Sequence, residues 1–324
     1  MRRQILSWVV VGSLYSIGAL DAQEALPPLE PVTVGPYAEK VVWPISGTTK
    51  QDAPFASTFG PRQLSVDGYR HDFNRGMDIR CTIGTPVHAC VAGEVRVAGK
   101  TETSPSGTIQ IRSVKPGVSG KPKTTDYYTV TYLNMAEFEV KEGDQVEAGQ
   151  IIGKTGPSPR GYDLLRVELR DGGSSLKNAV HPLALLPYEN AGPPTIAIDT
   201  ASEVAGHSVV AVTTTVSGEE MDLLRVEVAL FDGTNEVARR TYDLHEWNRA
   251  YTEPKDTKKL LDQQTLNGVR AEPGQFRSTQ EKFELTLVFE DLPVVKNKAK
   301  LAVKAKAVDV RGQAKEVERK AGGR

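Results

Sequence analysis

The sequence predicts an all-β protein made of two consecutive β modules. Short β-type runs broken by Gly recur along the chain, and no amphipathic helical run of convincing length interrupts those of the first module. A Pro/Gly break at Ala191-Gly192-Pro193-Pro194 divides the runs into two sets. The chain has 324 residues, and at roughly 150 residues per domain each module has enough length to bury its own core.

At the N-terminus, Arg2 and Arg3 precede an apolar stretch from Ile5 to Leu20, which ends at Leu20-Asp21-Ala22. This pattern reads as a secretory signal peptide over residues 1–22, cut after Ala22. The run is short and Gly/Ser-broken for a membrane span, and an uncleaved anchor is the alternative. No Cys near the junction offers a lipid attachment point, so the expected product is periplasmic or secreted, with no membrane span once the signal is removed. Residues 23–40 carry Pro27, Pro28, Pro31 and Pro36 and read as an extended linker.

The first module, residues 41–190, places strands at Thr85 to Val91, Gly93 to Val97, Thr108 to Ile111, Tyr127 to Leu133, Gln145 to Ile152 and Leu164 to Leu169. The second, residues 191–324, places them at Thr195 to Ile198, Ser208 to Val216, Leu224 to Phe231, Phe283 to Phe289 and Lys300 to Val308. That spacing predicts an immunoglobulin-like β-sandwich. A polar insertion near 241–280 interrupts it, with a helix expected around Asp256 to Gln264. Lys296, Lys298, Lys300, Lys304 and Lys306 share one parity and Leu301, Val303, Ala305 and Ala307 the other, which predicts an edge strand with one solvated face. An anionic-polymer contact is the functional alternative for the lysines. Glu318 to Arg324 reads as a frayed tail.

Forty basic against 41 acidic residues give a formal charge of −1, which removes the electrostatic drive of a nucleic-acid binder. The only two cysteines, Cys81 and Cys90, are expected to form a disulfide in an exported chain, with two buried free thiols as the alternative. They do not make a zinc knuckle, because no His adjoins them.

Four elements occur in order: Phe59-Gly60-Pro61-Arg62, Gly76-Met77-Asp78-Ile79, Gly84-Thr85-Pro86-Val87 and Ala92-Gly93-Glu94-Val95. With Thr131-Tyr132-Leu133-Asn134-Met135, the Glu142-Gly143-Asp144 turn, Val167-Glu168-Leu169-Arg170 and Val180-His181-Pro182-Leu183, they resemble the lysostaphin/LytM-type zinc endopeptidases that cut peptidoglycan peptides. The turn element by itself also occurs in lipoyl and biotinyl carriers, but no modifiable Lys at a hairpin tip is evident here. The resemblance implies a LytM-type β-sheet core for the first module.

It also implies a zinc site, held by the His and Asp of an H-x-G-x-D motif and the second His of an H-x-H motif, with two further histidines handling water and oxyanion. The matching positions here are Asn74, Asp78, Arg166, Leu164 and Asn134, so only Asp78 keeps the family's residue. A catalytic zinc takes about three protein ligands and a water. Amide and aliphatic side chains do not replace imidazole, and a guanidinium stays protonated and repels a cation. The expected site is therefore degenerate: no catalytic residue, no metal and no cofactor, with zinc as the alternative, and a binding groove of Asn74, Asp78, Asn134 and Arg166. The vacated position predicts an Asp78–Arg166 ion pair, with Asn74 and Asn134 hydrogen-bonding along it.

The remaining histidines offer little rescue. His71 lies seven positions before Asp78 where the motif has four, His88 falls in a strand, His181 falls at a structural turn, and His207 and His245 belong to the second module, remote from the site. No Gly-x-Ser-x-Gly elbow is present. The expectation is a non-catalytic exported LytM-domain protein that binds the cell wall or regulates a cell-wall hydrolase, with peptidoglycan or an amidase or other hydrolase as partner. The alternatives are an active zinc endopeptidase with substituted ligands and a structural envelope module.

Overall fold

Strands Tyr127–Leu133 and Leu164–Asp171 bury side chains on both faces: Tyr128, Val130, Tyr132, Leu165, Val167 and Leu169 share one face, almost fully covered, and the buried Thr129, Thr131, Glu168 and Arg170 share the other. Such strands belong at the centre of a sheet, and they lie there. The computed structural model describes residues 37–45, 55–64, 70–101, 104–159, 161–188, 192–203, 209–218, 221–252, 265–273, 275–276, 283–293 and 301–320. The signal peptide and most of the linker lie outside them, as do His207 and the helix expected at 256–264.

The protein is all-β, with one short α-helix among the described residues. The large sheet of the first module runs, in spatial order, Phe55–Ser57, Met77–Arg80, Leu164–Asp171, Tyr127–Leu133, Ser104–Val114, Gly93–Thr101 and Gln145–Val146, and Ala179–Val180 pairs with Leu164–Asp171. Pro86–His88, Ile151–Thr155 and Met135–Phe138 form a small second sheet. The single strand expected from Gln145 to Ile152 is thus two strands in different sheets, parted by a turn in which Gln150 N–H donates to Glu147 O. Strands Gly60–Leu64 and Arg70–Asn74 pair as a hairpin, to which Gln275–Phe276 adds in parallel.

The second module has two antiparallel sheets. One runs Thr195–Glu203, Val209–Gly218, Phe283–Pro293, Val269–Pro273, Thr265–Leu266; the other runs Asn235–Asp243, Leu223–Asp232, Leu301–Asp309, Ala314–Lys320. Val212, Val216, Leu287 and Phe289 of the first and Val226, Val228, Leu230 and Ala305 of the second supply buried core. The lysine-bearing strand is not the edge expected from its parity. It lies between two strands, and Lys304 is buried, with its Nζ 5.3 Å from the Phe231 ring centroid and 3.8 Å from Glu318 Oε2. Nor is Glu318 the start of a frayed tail, since Ala314–Lys320 is the edge strand.

Helix Leu244–Thr252 follows a strand directly and lies before the expected helical stretch. Asp243 starts it by accepting the N–H groups of His245 (2.9 Å) and Glu246 (3.1 Å) at Oδ1, the geometry of an N-cap. Leu244, Trp247 and Tyr251 recur at i, i+3 and i+7 and are buried together, while Glu246 and Arg249 face water. The helix packs on the first module. Asn248, fully buried, donates through Nδ2 to Leu176 O (3.0 Å), Lys177 O (3.4 Å) and Ala179 O (3.1 Å), and Tyr251 lies against Phe73 with ring centroids 5.1 Å apart.

The expected disulfide is not formed: Cys81 and Cys90 are free thiols. Each has its own surroundings. Cys90 is fully buried against Tyr132, whose hydroxyl accepts the Cys90 N–H at 2.6 Å, while Cys81 lies beside Thr155 and Leu165 at the far end of Met77–Arg80. Burial pushes the Cys90 thiol up to about 12, so it stays protonated and unreactive. No helix among the described residues is long and apolar enough to cross a membrane.

Candidate functional site

The site forms where Met77–Arg80 pairs with Leu164–Asp171, with Asp78 and Arg166 directly opposite in the antiparallel register. Opposed residues of such a pair project on the same side, so the two side chains meet without any loop to bring them together. Gly76 allows the close approach. A Cβ there would lie 2.5 Å from Val167 O and 2.8 Å from Glu168 Cγ, so no larger residue fits between these strands.

Asp78 is 1% exposed. Arg166 grips it side-on, Nε donating to Oδ1 at 2.6 Å and Nη2 to Oδ2 at 3.1 Å. Oδ2 also accepts from Arg62 Nη1 at 3.0 Å. Arg62 in turn donates from Nε and Nη2 to Asp72 Oδ2, at 3.1 and 2.8 Å, and the two stand opposite each other in their hairpin. The result is an alternating chain, Asp72, Arg62, Asp78, Arg166, in which every buried charge has an opposite neighbour. Burial raises the Asp78 pKa, but the Arg166 and Arg62 guanidiniums outweigh it and hold the carboxyl below its ordinary value, so it stays ionised.

The flanking amides are used differently. Asn74 Nδ2 donates to Ser57 Oγ (3.1 Å) and reaches Asp78 Oδ2 (3.5 Å), while its Oδ1 accepts the Gly76 N–H at 3.2 Å. Asn134 does not reach the ion pair, contrary to expectation: its Nδ2 donates to the Leu164 carbonyl at 3.2 Å. It sits at φ 67°, a conformation Asn tolerates, where the chain leaves one sheet for the other. Leu164 is buried.

Sequence reasoning missed Arg62, Asp72 and Ser57. Arg62 was visible as the last residue of the Phe59-to-Arg62 element, and Asp72 follows from it once the hairpin register is known, but nothing in the sequence marks Ser57. Among the other histidines, His88 is half-buried with Nδ1 2.8 Å from Gly149 O. The side chain of His71 lies outside the described residues. His245 is not remote: its ring centroid is 5.8 Å from that of Phe59, and it accepts the His181 N–H.

Residues 72–178 match the model of peptidase family M23. The match falls within the first module, which is similar to that family over these residues. Over 98 residues the chain is 33% identical to the glycyl-glycine endopeptidase ALE-1 of Staphylococcus capitis, covering 30% of this chain and 24% of that protein. Over the same length it is 32% identical to lysostaphin of Staphylococcus simulans, covering 30% of this chain and 17% of that one. The chain thus spans a quarter or less of these relatives. The solved catalytic domain of lysostaphin from S. simulans aligns at 26% identity over 41% of this chain and 91% of that domain, with a TM-score of 0.34.

The zinc that the resemblance implies fits these residues poorly. The five motif positions present two carboxamides, one aliphatic side chain, one guanidinium and one carboxylate, and both oxygens of that carboxylate accept from arginine. A zinc site needs several neutral-imidazole, thiolate or carboxylate donors around one point, and a fixed guanidinium at one ligand position opposes the ion's charge.

Proposed function

We propose that the first module is a non-catalytic member of peptidase family M23, which uses its groove to bind the cell wall or to regulate a cell-wall hydrolase. The observation that carries this reading is the two-pronged Arg166–Asp78 pair, which puts a permanent protein cation where the family's metal and its ligand would stand. Without a Lewis acid, neither carbonyl polarisation nor a low-pKa water is available by the family's route. Arg166 and Asp72, with side chains 26% and 29% exposed, are the charged groups that the site offers to a ligand. The signal-peptide reading of residues 1–22 supports a periplasmic or secreted location, where a wall polymer or a wall hydrolase would be met.

The test combines two assays on purified protein: co-sedimentation with insoluble peptidoglycan, and release of soluble muropeptides from it with zinc supplied. Binding to the wall, or stimulation of a co-purified hydrolase, with no release by this protein alone supports the reading. Zinc-dependent release would move the assignment to an active endopeptidase.

A further inference from the structure

Two imidazoles join the modules. His181 of the first module is fully buried, and its Nδ1 accepts the Leu183 N–H at 3.2 Å. The ring proton therefore sits on Nε2, which lies 3.1 Å from Met221 O of the second module and 3.1 Å from Thr58 Oγ1. Thr58 Oγ1 donates to the same Met221 carbonyl. From the other side, the His181 N–H donates to Nε2 of His245 at 3.3 Å, which places the His245 proton on Nδ1. Both rings lie against Phe59, with centroids at 5.6 and 5.8 Å. Met221 is held at φ 55°, a left-handed conformation that costs a residue bearing a Cβ, so this contact keeps a strained backbone in place.

We propose that His181 and His245 form a proton-operated latch between the two modules, closed while both rings are neutral and opened when they take up protons. The geometry makes protonation incompatible with closure. A proton on His181 Nδ1 would point at the Leu183 N–H, and a proton on His245 Nε2 would point at the His181 N–H, donor against donor in each case. The latch borders the site: Leu244 approaches Gly60, Tyr251 packs on Phe73, and the paired strands Gly60–Leu64 and Arg70–Asn74 carry Arg62, Asp72 and Asn74. Opening would loosen the strands that hold Arg62 against Asp78.

The charges facing the two rings favour the neutral state. Around His181 these are the uncharged Thr58 and Phe59, the Met221 carbonyl and His245; Asp222, next in chain to Met221, accepts from Tyr188 at 2.6 Å. Burial first, then His245, lower the His181 pKa to about 3. Burial also lowers that of His245. Asp243 and Asp171 oppose this, while Arg249 and Arg225 reinforce it. Both rings bind protons less well closed than open, so closure is fully favoured above the ordinary imidazole value of about 6.5 and weakens as pH falls below it.

The test is hydrogen exchange on the purified protein between pH 7.5 and 5, corrected for intrinsic exchange. Below pH 6.5 each proton taken up on opening multiplies the open population about tenfold per pH unit, so two give about a hundredfold. Protection at 57–64, 181–186 and 244–250 should fall accordingly, while Tyr127–Leu133 stays protected. The double variant His181→Gln, His245→Gln keeps a donor toward Met221 O and an acceptor for the residue-181 N–H without titrating, and its junction should be insensitive to pH. An equal pH response in wild type and variant, or no loss of protection in the wild type, overturns the proposal. Should the variant not fold, imidazole nitrogen shifts in the wild type decide: protonation in step with junction opening supports the latch, and protonated rings with 57–64 still protected refute it.

Discussion

Arg166 stands across the antiparallel pairing from Asp78 and holds both of its carboxylate oxygens, while Arg62 shares the second. Charge matching at this point is part of the fold's stability, because the Asp78 carboxylate is 1% exposed and Arg62 is 6% exposed. Arg166, with its side chain 26% exposed, can turn to water if released, but Arg62 cannot.

Replacing Asp78 with Ala should therefore destabilise the protein by about 3 kcal/mol or more, since it leaves a buried guanidinium without its second anion. Arg166→Met should cost less, because Arg62 still pairs with Asp78. Urea unfolding of the two variants checks the order, and equal losses would show that Arg62 contributes nothing.

The same pair sets an acid limit. The Asp78 pKa is lowered in the folded state, so its stabilising contribution is fully present above the unfolded carboxyl value of about 3.9 and is lost as pH falls through the folded value. The difference in unfolding free energy between wild type and Asp78→Asn should shrink below about pH 4 and stay flat from pH 5 to 7. A difference that grows in acid would reverse the sign of the argument.

Gly76→Ala should disrupt the site without touching a charge. Its Cβ would sit 2.5 Å from the Val167 carbonyl, forcing apart the strands that put Asp78 opposite Arg166, at a cost of about 1 to 3 kcal/mol or more. Thermal unfolding measures the loss. A variant as stable as wild type would mean that the strands separate freely at this point.

Much of the site was legible because it depends on strand register. Asp78 and Arg166 fall at matched motif positions, and a β pairing converts that match directly into contact. Arg62 and Asp72 were harder to see, since they meet through a hairpin whose register the sequence does not state. Asn134 was misplaced because its left-handed backbone turns the side chain toward the Leu164 carbonyl and away from the ion pair. The helix Leu244–Thr252 escaped notice because nine residues make barely two and a half turns, and its apolar face, Leu244, Trp247 and Tyr251, is read only against a partner surface. Lys304 broke the parity rule because a long aliphatic stem lets an ammonium cross an aromatic face to reach Glu318. Compartment and cysteine number, which predict the disulfide, carry no information about where the two sulfurs point.

As free thiols they should both be alkylated in denaturant without reductant, and mass spectrometry should find two adducts. In the native state Cys90, fully buried, should react only after opening, and Cys81, partly exposed, should react first. A mass two hydrogens short of the reduced chain, with no adducts, would establish a disulfide instead.

Restoring imidazoles tests whether the missing donors are what the groove lacks. The triple variant Asn74→His, Leu164→His, Arg166→His frees Asp78 from one guanidinium and supplies the family's ligand types around it, so it should bind zinc in calorimetry. Arg166→His alone should bind far more weakly, because one imidazole and one carboxylate fall short of a zinc site.

The most direct measurement is the zinc content of the wild-type protein, determined by elemental mass spectrometry after incubation with excess zinc and removal of loosely held metal. Because Arg166 holds the one carboxylate left of the family's ligand set, the expectation is far less than one zinc per chain, unchanged by Asp78→Asn. One tightly held zinc per chain, lost in Asp78→Asn, would contradict it.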